Sequence, residues 1–344
     1  MVHRPLRLTL DGDALVSNWH WLAHRGGGAV CGAAVKADAY SLGAREAVKR
    51  LQHAGCRDFF VATWAEAEAL MPWPGDLALS VLHGVGPDDM DAALRSPARP
   101  VLNSPEQVAR WRETGRPCDV MVDTGINRLG LAVADVHGGL LDGLGIETLM
   151  SHLASADEDV PGNARQLRLF TEVAERVPAR RRSIANSAGI CLGRDYALDL
   201  TRPGIALYGG VPRREAGGHI RQVVRVEAQI VQRRRIGAGE SVGYNATYTA
   251  DRPQELAILN IGYADGYLCG FSGRGQARID GGVAPVLGRV SMDLTAICVD
   301  EAPQLKEGDW IELDYDLLQA SAQSGLSQYE LLTTLGTRFG RRWA

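Results

Sequence analysis

The chain has 344 residues, 45% of them hydrophobic and 23% charged, with a formal net charge of −4. That length supports one large barrel or two domains with substantial cores. The charge balance, without a long basic tract, excludes the electrostatic footprint of a nucleic-acid binder, and no run approaches the roughly 20 apolar residues needed to span a bilayer. The opening MVHRPLRLTL has no apolar core long enough for a signal peptide, so the expectation is a soluble protein without an export address. Six cysteines (31, 56, 118, 191, 269 and 298) are dispersed with no Cys-x-x-Cys, which fits a reducing cytoplasm. The eight histidines show no ligand spacing, so no metal site is expected.

From residue 29 to about 204, short β-type runs alternate with helical segments. Strands are predicted at 29–36, 58–63, 77–82, 98–103, 118–123, 146–153, 182–187 and 197–202. Amphipathic helices are predicted at 44–54, 64–71, 88–94, 104–112 and 164–176, with Ser104 as a cap before Pro105. Buried strands separated by helices imply parallel pairing, because parallel neighbours need a crossover. Eight such units fit a compact (β/α)8 TIM-type barrel, with a doubly wound open sheet as the alternative from pattern alone. Beyond residue 210 the strand runs 223–233, 255–261, 276–279, 283–290, 294–299 and 310–313 follow without helices until 328–335. This predicts an N-terminal α/β barrel over 1–220 and a C-terminal mainly-β domain over 221–344. The basic run Arg233–Arg235 reads as a solvated face or an interface rim.

Polar residues gather where barrel strands are expected to end, which is where barrel active sites are built. Lys36 closes the apolar stretch 29–35. Asp123 to Arg128 follow the fifth strand, Ser151-His152 the sixth, Asn186-Ser187 the seventh and Arg202-Pro203-Gly204-Ile205 the eighth. A desolvated lysine has a lowered pKa and forms imines with carbonyls. Hydroxyls, backbone N–H groups and arginines suit a phosphorylated anionic cofactor. Each has a plainer reading too: a snorkelling Lys36, a hydrogen-bonded core His152, an Asp123 that caps its turn or pairs with Arg128, and a surface Arg202 at a bend.

Set side by side, AVKADAY (34–40), VDTGINRLG (122–130), SHLASADE (151–158), ANSA (185–188), RPGIALYG (202–209), VGYNATY (242–248), IGYADG (261–266) and GRVSMD (288–293) resemble the alanine racemase family over nearly the whole chain. The resemblance implies a fold-type III pyridoxal 5'-phosphate enzyme that interconverts L- and D-alanine for peptidoglycan synthesis. Lys36 would hold the cofactor through an imine and act as one base. Tyr244 would act as the base on the opposite face, in a head-to-tail homodimer whose active sites are shared between subunits. A His152–Arg202 chain would assist Tyr244, and Arg202 would face the pyridine nitrogen. Arg128 would contact the ring hydroxyl region, His152 and Asn186 would be further cofactor-binding residues, and Tyr40, Ser187, Gly204, Ile205 and Tyr329 would surround the phosphate. Arg128 and Met292 would hold the substrate carboxylate, while Tyr248, Tyr263 and Asp265 would line the approach.

The sequence departs from the family pattern twice. Met121 stands where many members carry a carbamylated lysine, so an anion or Asn127 would have to support Arg128 instead. Ser183 stands where a ring-stacking histidine is common. Three other readings remain: a serine or broad-specificity racemase on the same scaffold, a decarboxylase of the same barrel class, and a cofactor-holding binding protein. The first differs only in pocket shape, where one methylene is worth about 1–3 kcal/mol. The second lacks any recognisable decarboxylase substrate motif in the β domain, and the third leaves the second domain and its Tyr244 motif without a role.

Overall fold

The structure, a computed structural model, describes residues 3–280 and 282–344. The chain divides into two compact units: Leu15–Arg221, and Gln222–Ala344 together with the segment up to Ala14. None of the described helices is long and apolar enough to cross a membrane.

In the first unit seven strands follow one another as a parallel sheet in chain order: Ala33–Ala34, Asp58–Val61, Ala78–Val81, Arg99–Leu102, Cys118–Met121, Ile146–Met150 and Ala179–Ser183. Leu200–Thr201 takes the eighth position. It pairs in parallel with Val30–Cys31, and beside it Ala34 N–H donates to Pro203 O at 2.8 Å. On the other edge Arg202 N–H donates to Ala185 O at 2.9 Å and Asp199 N–H to Arg182 O at 3.2 Å. Both edges of the sheet thus meet the same short strand, which closes the expected barrel.

Its interior follows the two-residue period of a strand. Ala34, Phe60, Val101, Met121, Met150 and Leu200, from six different strands, form one apolar cluster. Two residues earlier, four of these strands carry the polar residues Asp58, Arg99, Asp119 and Thr148. Arg181, from the strand Ala179–Ser183, clasps Asp58 at 3.0 and 2.6 Å, and Ser80 Oγ donates to the fully buried Asp119 at 2.6 Å. Two residues later on the same strands come Lys36, His152 and Arg202. The repeat that fills the core therefore also delivers these side chains to the C-terminal mouth.

Several boundaries differ from expectation. The run 29–36 is split at Gly32, where a Cβ would lie 2.9 Å from both Asp58 O and a Phe60 ring carbon, so the chain can pass only without a side chain. The seventh strand starts earlier, at Ala179, and ends at Ser183, because Ser187 already opens the helix Ser187–Leu192. The expected helix 88–94 begins as a 3-10 turn, Pro87–Asp89, followed by Met90–Arg95. A helix not anticipated, Gly12–Arg25, leads into the barrel.

The second unit is an eight-stranded sheet in the order Gln254–Leu259, Thr295–Cys298, Gly282–Leu287, Gln276–Ile279, Trp310–Leu313, Val224–Ile236, Leu6–Leu10, Gly340–Trp343. The 13-residue strand Val224–Ile236 serves two sets of neighbours. Its first half pairs with Leu6–Leu10 and Trp310–Leu313, its second with Gln254–Leu259, and a register shift between Ile230 and Gln232 lets it turn from one to the other. The N-terminal segment assigned to the barrel by sequence therefore belongs here: Leu6, Leu8 and Leu10 are buried in alternation between two strands from the other end of the chain. A second correction is the helix Leu317–Ser324, capped by Asp316 and stopped by Gly325 at φ 74, which precedes the expected Gln328–Thr333. The basic run is spoken for: Arg233 donates to Leu305 O at 2.6 Å and pairs with Glu255 at 3.4 Å.

Candidate active site

Lys36 opens a left-handed turn. Ala37, Asp38, Ala39, Tyr40 and Ser41 all have positive φ, from 52 to 69. L-residues pay of order 1–2 kcal/mol each for this conformation, so the fold must impose it. Ser41 N–H returns to Ala37 O at 2.8 Å and Gly43 N–H to Asp38 O at 2.9 Å, while Asp38 Oδ1 accepts from Ala44 N–H at 2.7 Å. The Tyr40 ring leans on Tyr208 with centroids 4.8 Å apart, and Tyr208 is itself tied to Ala34 O at 2.9 Å. At the turn's start Ala37 N–H donates to Glu66 Oε1 at 2.8 Å.

The half-buried Lys36 amine is held below the usual lysine range, first by desolvation and then by the positive charges of Arg128 and Arg202, with Glu66 opposing. His152 is pushed down to about 3 by burial and by Arg202, Arg128 and Lys36, so the imidazole is neutral at physiological pH. Arg202 is buried and lowered to about 10 by desolvation, against the attraction of Asp119. Its guanidinium donates to Ser183 Oγ and to Ser151 O, the latter at 2.6 Å. The expected chain from His152 to Arg202 is thus a charge interaction here, with Nη1 and Nη2 of Arg202 directed to the two serines.

Four of the residues proposed to surround a phosphate, Tyr40, Ser187, Gly204 and Ile205, form a cradle. Ser187 Oγ accepts from Gly204 N–H at 2.9 Å and from Ala206 N–H at 3.3 Å, which brings Ile205 beside it. A Cβ on Gly204 would lie 2.2 Å from the Tyr40 hydroxyl, so only glycine lets the phenol approach this backbone. Asn186 has a different task in this structure: its Oδ1 caps the following helix by accepting from Gly189 N–H at 2.8 Å. Asp123 is a turn cap, accepting from the N–H groups of Gly125, Ile126 and Asn127 at 2.8–3.2 Å. The exposed Arg128 follows that turn, and its charge reaches Lys36 and His152. Gln166 fixes the segment around His152 by donating to His152 O at 3.0 Å and accepting from Ala154 N–H at 2.8 Å.

The other candidates lie in the second unit. Tyr244 sits at the tip of the hairpin pairing Ser241–Val242 with Tyr248–Thr249 and is 70% exposed. The Tyr248 hydroxyl is engaged by Gln254 Oε1 at 2.6 Å. Tyr263 and Met292 are exposed on two loops joined backbone to backbone, Tyr263 N–H to Ser291 O and Ala264 N–H to Met292 O, each at 3.0 Å. Arg338 ties the same loops together, bidentate to the buried Asp265 at 2.6 and 2.8 Å and donating to Asp293 at 2.7 Å. Tyr329, exposed on the helix Gln328–Thr333, also lies in this unit, apart from the Ser187–Gly204 cradle in sequence and in domain.

Sequence reasoning missed three residues. Glu66 was readable only as the fourth residue of a Thr-x-x-Glu helix start, which Thr63 caps. Ser183 was noted as a departure, with no indication that its hydroxyl meets Arg202. Arg338 carried no motif at all.

Residues 10–212 match the alanine racemase N-terminal domain and residues 223–343 the alanine racemase C-terminal domain. An alanine racemase of Acidiphilium cryptum is 43% identical over 97% of both chains. Among solved structures, the alanine racemase from Bartonella henselae with covalently bound pyridoxal phosphate superposes with a TM-score of 0.92 at 34% identity, over 99% of this chain and 100% of that one. The biosynthetic alanine racemase from Pseudomonas aeruginosa gives 0.90 at 31% identity, over 99% and 100%. Matched from barrel to β domain by family, by sequence and by fold, the chain belongs to the alanine racemase family.

Proposed function

We propose that this chain interconverts L- and D-alanine with pyridoxal 5'-phosphate. The observation that carries the reading is the barrel mouth: a lysine amine held below the usual lysine range stands with Arg202 above one apolar layer, in the same unit as the cradle of Tyr40, Ser187, Gly204 and Ile205. The residues fit the cofactor, since the Tyr40 and Ser187 hydroxyls gather at the Gly204 backbone, which the Tyr40 phenol can approach only because Gly204 has no Cβ. When bound, pyridoxal phosphate withdraws electrons from the substrate and makes its Cα–H acidic.

The chain's own residues divide the remaining work. Lys36 holds the cofactor and moves a proton at Cα on one face. Arg202, held by Ser183 and Ser151, would contact the cofactor ring and, as a poor proton donor, would leave it a restrained electron acceptor. Arg128, with the Met292 segment, binds the substrate carboxylate. Inversion needs a second proton carrier on the opposite face, and that role falls to Tyr244. Its exposure in the single chain supports assignment to a shared site, with Tyr244 of the partner subunit completing each barrel mouth in a homodimer. Four buried free cysteines accord with work in a reducing cytoplasm, where D-alanine would feed peptidoglycan synthesis.

Incubation of L-alanine with the protein and pyridoxal phosphate in D2O tests this reading. Deuterium at Cα of both enantiomers is expected. Retention of protium throughout would overturn it, and deuterium on serine at a greater rate would reassign the substrate.

A further inference from the structure

We propose that Glu66 is the positioning residue of Lys36: its carboxylate holds the left-handed turn that Lys36 opens and presents a negative charge to the amine. The proposal rests on the reading of Lys36 as a catalytic base. Glu66 uses both oxygens. Oε1 accepts from Ala37 N–H at 2.8 Å, the peptide immediately after Lys36, and Oε2 accepts from Ala62 N–H at 2.6 Å, just past the strand Asp58–Val61. The same side chain thus joins the end of the second barrel strand to the turn leaving the first. Its backbone is fixed in turn by Thr63 Oγ1, which accepts from Glu66 N–H at 3.3 Å.

This clamp answers a specific need. Five consecutive non-glycine residues hold positive φ, a conformation with no local preference behind it. If the first peptide of the turn were released, the backbone would relax toward ordinary φ and Lys36 would lose its direction. The charge matters as well. The groups whose fields reach the Lys36 amine are Glu66, Arg128 and Arg202, and the amine in turn acts on neutral His152. Glu66 is the only anion among them. Without it, the two guanidiniums would act unopposed.

Glu66→Gln and Glu66→Asp separate the two roles. Glutamine keeps the shape but has one acceptor oxygen, so one of the two amides must face an NH2 group. Aspartate keeps the charge but is one methylene shorter. Hydrogen exchange of the full-length holoenzyme should show the peptide spanning residues 37–43 exchanging about tenfold faster or more in both variants, with unchanged protection in distant strands. In Glu66→Gln the acid limb of the kcat profile, which reads the substrate-bound state in which the Lys36 amine is released, should move to lower pH, because removing an anion disfavours protonated Lys36, while in Glu66→Asp it should stay near the wild-type position. Wild-type exchange in Glu66→Gln, or an acid limb that does not move in that variant, would overturn the proposal. If the wild type fails to racemise alanine, the functional reading falls, yet the exchange measurement still decides the clamp.

Discussion

Ser183 Oγ accepts a hydrogen bond from the Arg202 guanidinium and donates one to Leu200 O at 2.6 Å, so a fully buried serine orients the cation at the barrel mouth. The position where a ring-stacking histidine is common thus carries a group that aims Arg202. Ser183→Ala should leave one guanidinium N–H without its partner in a buried setting, costing about 1.5–3 kcal/mol. Chemical denaturation should show that loss, accompanied by a lower kcat for alanine racemisation; wild-type values for both would remove Ser183 from the account.

Tyr244→Phe keeps the ring and removes only the hydroxyl. As the proposed second proton carrier, it should lower kcat by about 100-fold or more while leaving pyridoxal phosphate binding intact, in line with the usual worth of a general acid or base. Steady-state racemisation of both enantiomers, alongside cofactor absorbance, checks this.

Gly204→Ala places a Cβ 2.2 Å from the Tyr40 hydroxyl, with that ring already packed on Tyr208. The crowding should cost about 1–3 kcal/mol and fall on the cradle. Titration with pyridoxal phosphate should give about 5- to 150-fold weaker binding, since about 1.4 kcal/mol corresponds to one power of ten.

Arg338→Ala strips the buried Asp265 of a bidentate partner and frees Asp293. Because Arg338 is half-exposed and water can reach its former place, a loss of about 2–3 kcal/mol is expected, below the range for a fully buried broken pair. The loops bearing Tyr263 and Met292 should loosen with it, so KM for alanine should rise more than kcat falls. Denaturation midpoints and steady-state kinetics measure the two effects.

His152 titrates at about 3 in the folded chain against 6.5 unperturbed. Between these values the unfolded chain binds a proton that the native state does not. Native stability should therefore be intact above pH 6.5 and decline as the pH falls toward 3, with this group contributing a slope of up to about 1.4 kcal/mol per pH unit. His152→Gln should flatten that part of the profile in urea denaturation carried out from pH 4 to 7.

Much of the fold is legible in the sequence because parallel strands, buried on both faces, write themselves as short apolar runs between amphipathic helices. Ala44–Ala54 and Trp310–Leu313 fall where periodicity puts them. Leu6–Leu10 is harder: its five residues alternate cleanly, yet their partners lie more than 200 residues away, so nothing local says which domain they join. The candidate site divides the same way. Lys36, His152 and Arg202 are visible because each follows a barrel strand, one pleat beyond the apolar layer. The turn from Ala37 to Ser41 is not, since left-handed backbone in Ala-Asp-Ala-Tyr-Ser is imposed by Glu66 and Tyr208 from elsewhere in the chain. Arg338 escaped notice because its meaning lies in two distant aspartates.

The most direct test of the account is chiral chromatography of L-alanine after incubation with the purified protein and pyridoxal phosphate. The account predicts approach to equal amounts of L- and D-alanine, at a rate that collapses in Lys36→Ala. L-alanine that stays enantiomerically pure under these conditions would contradict it.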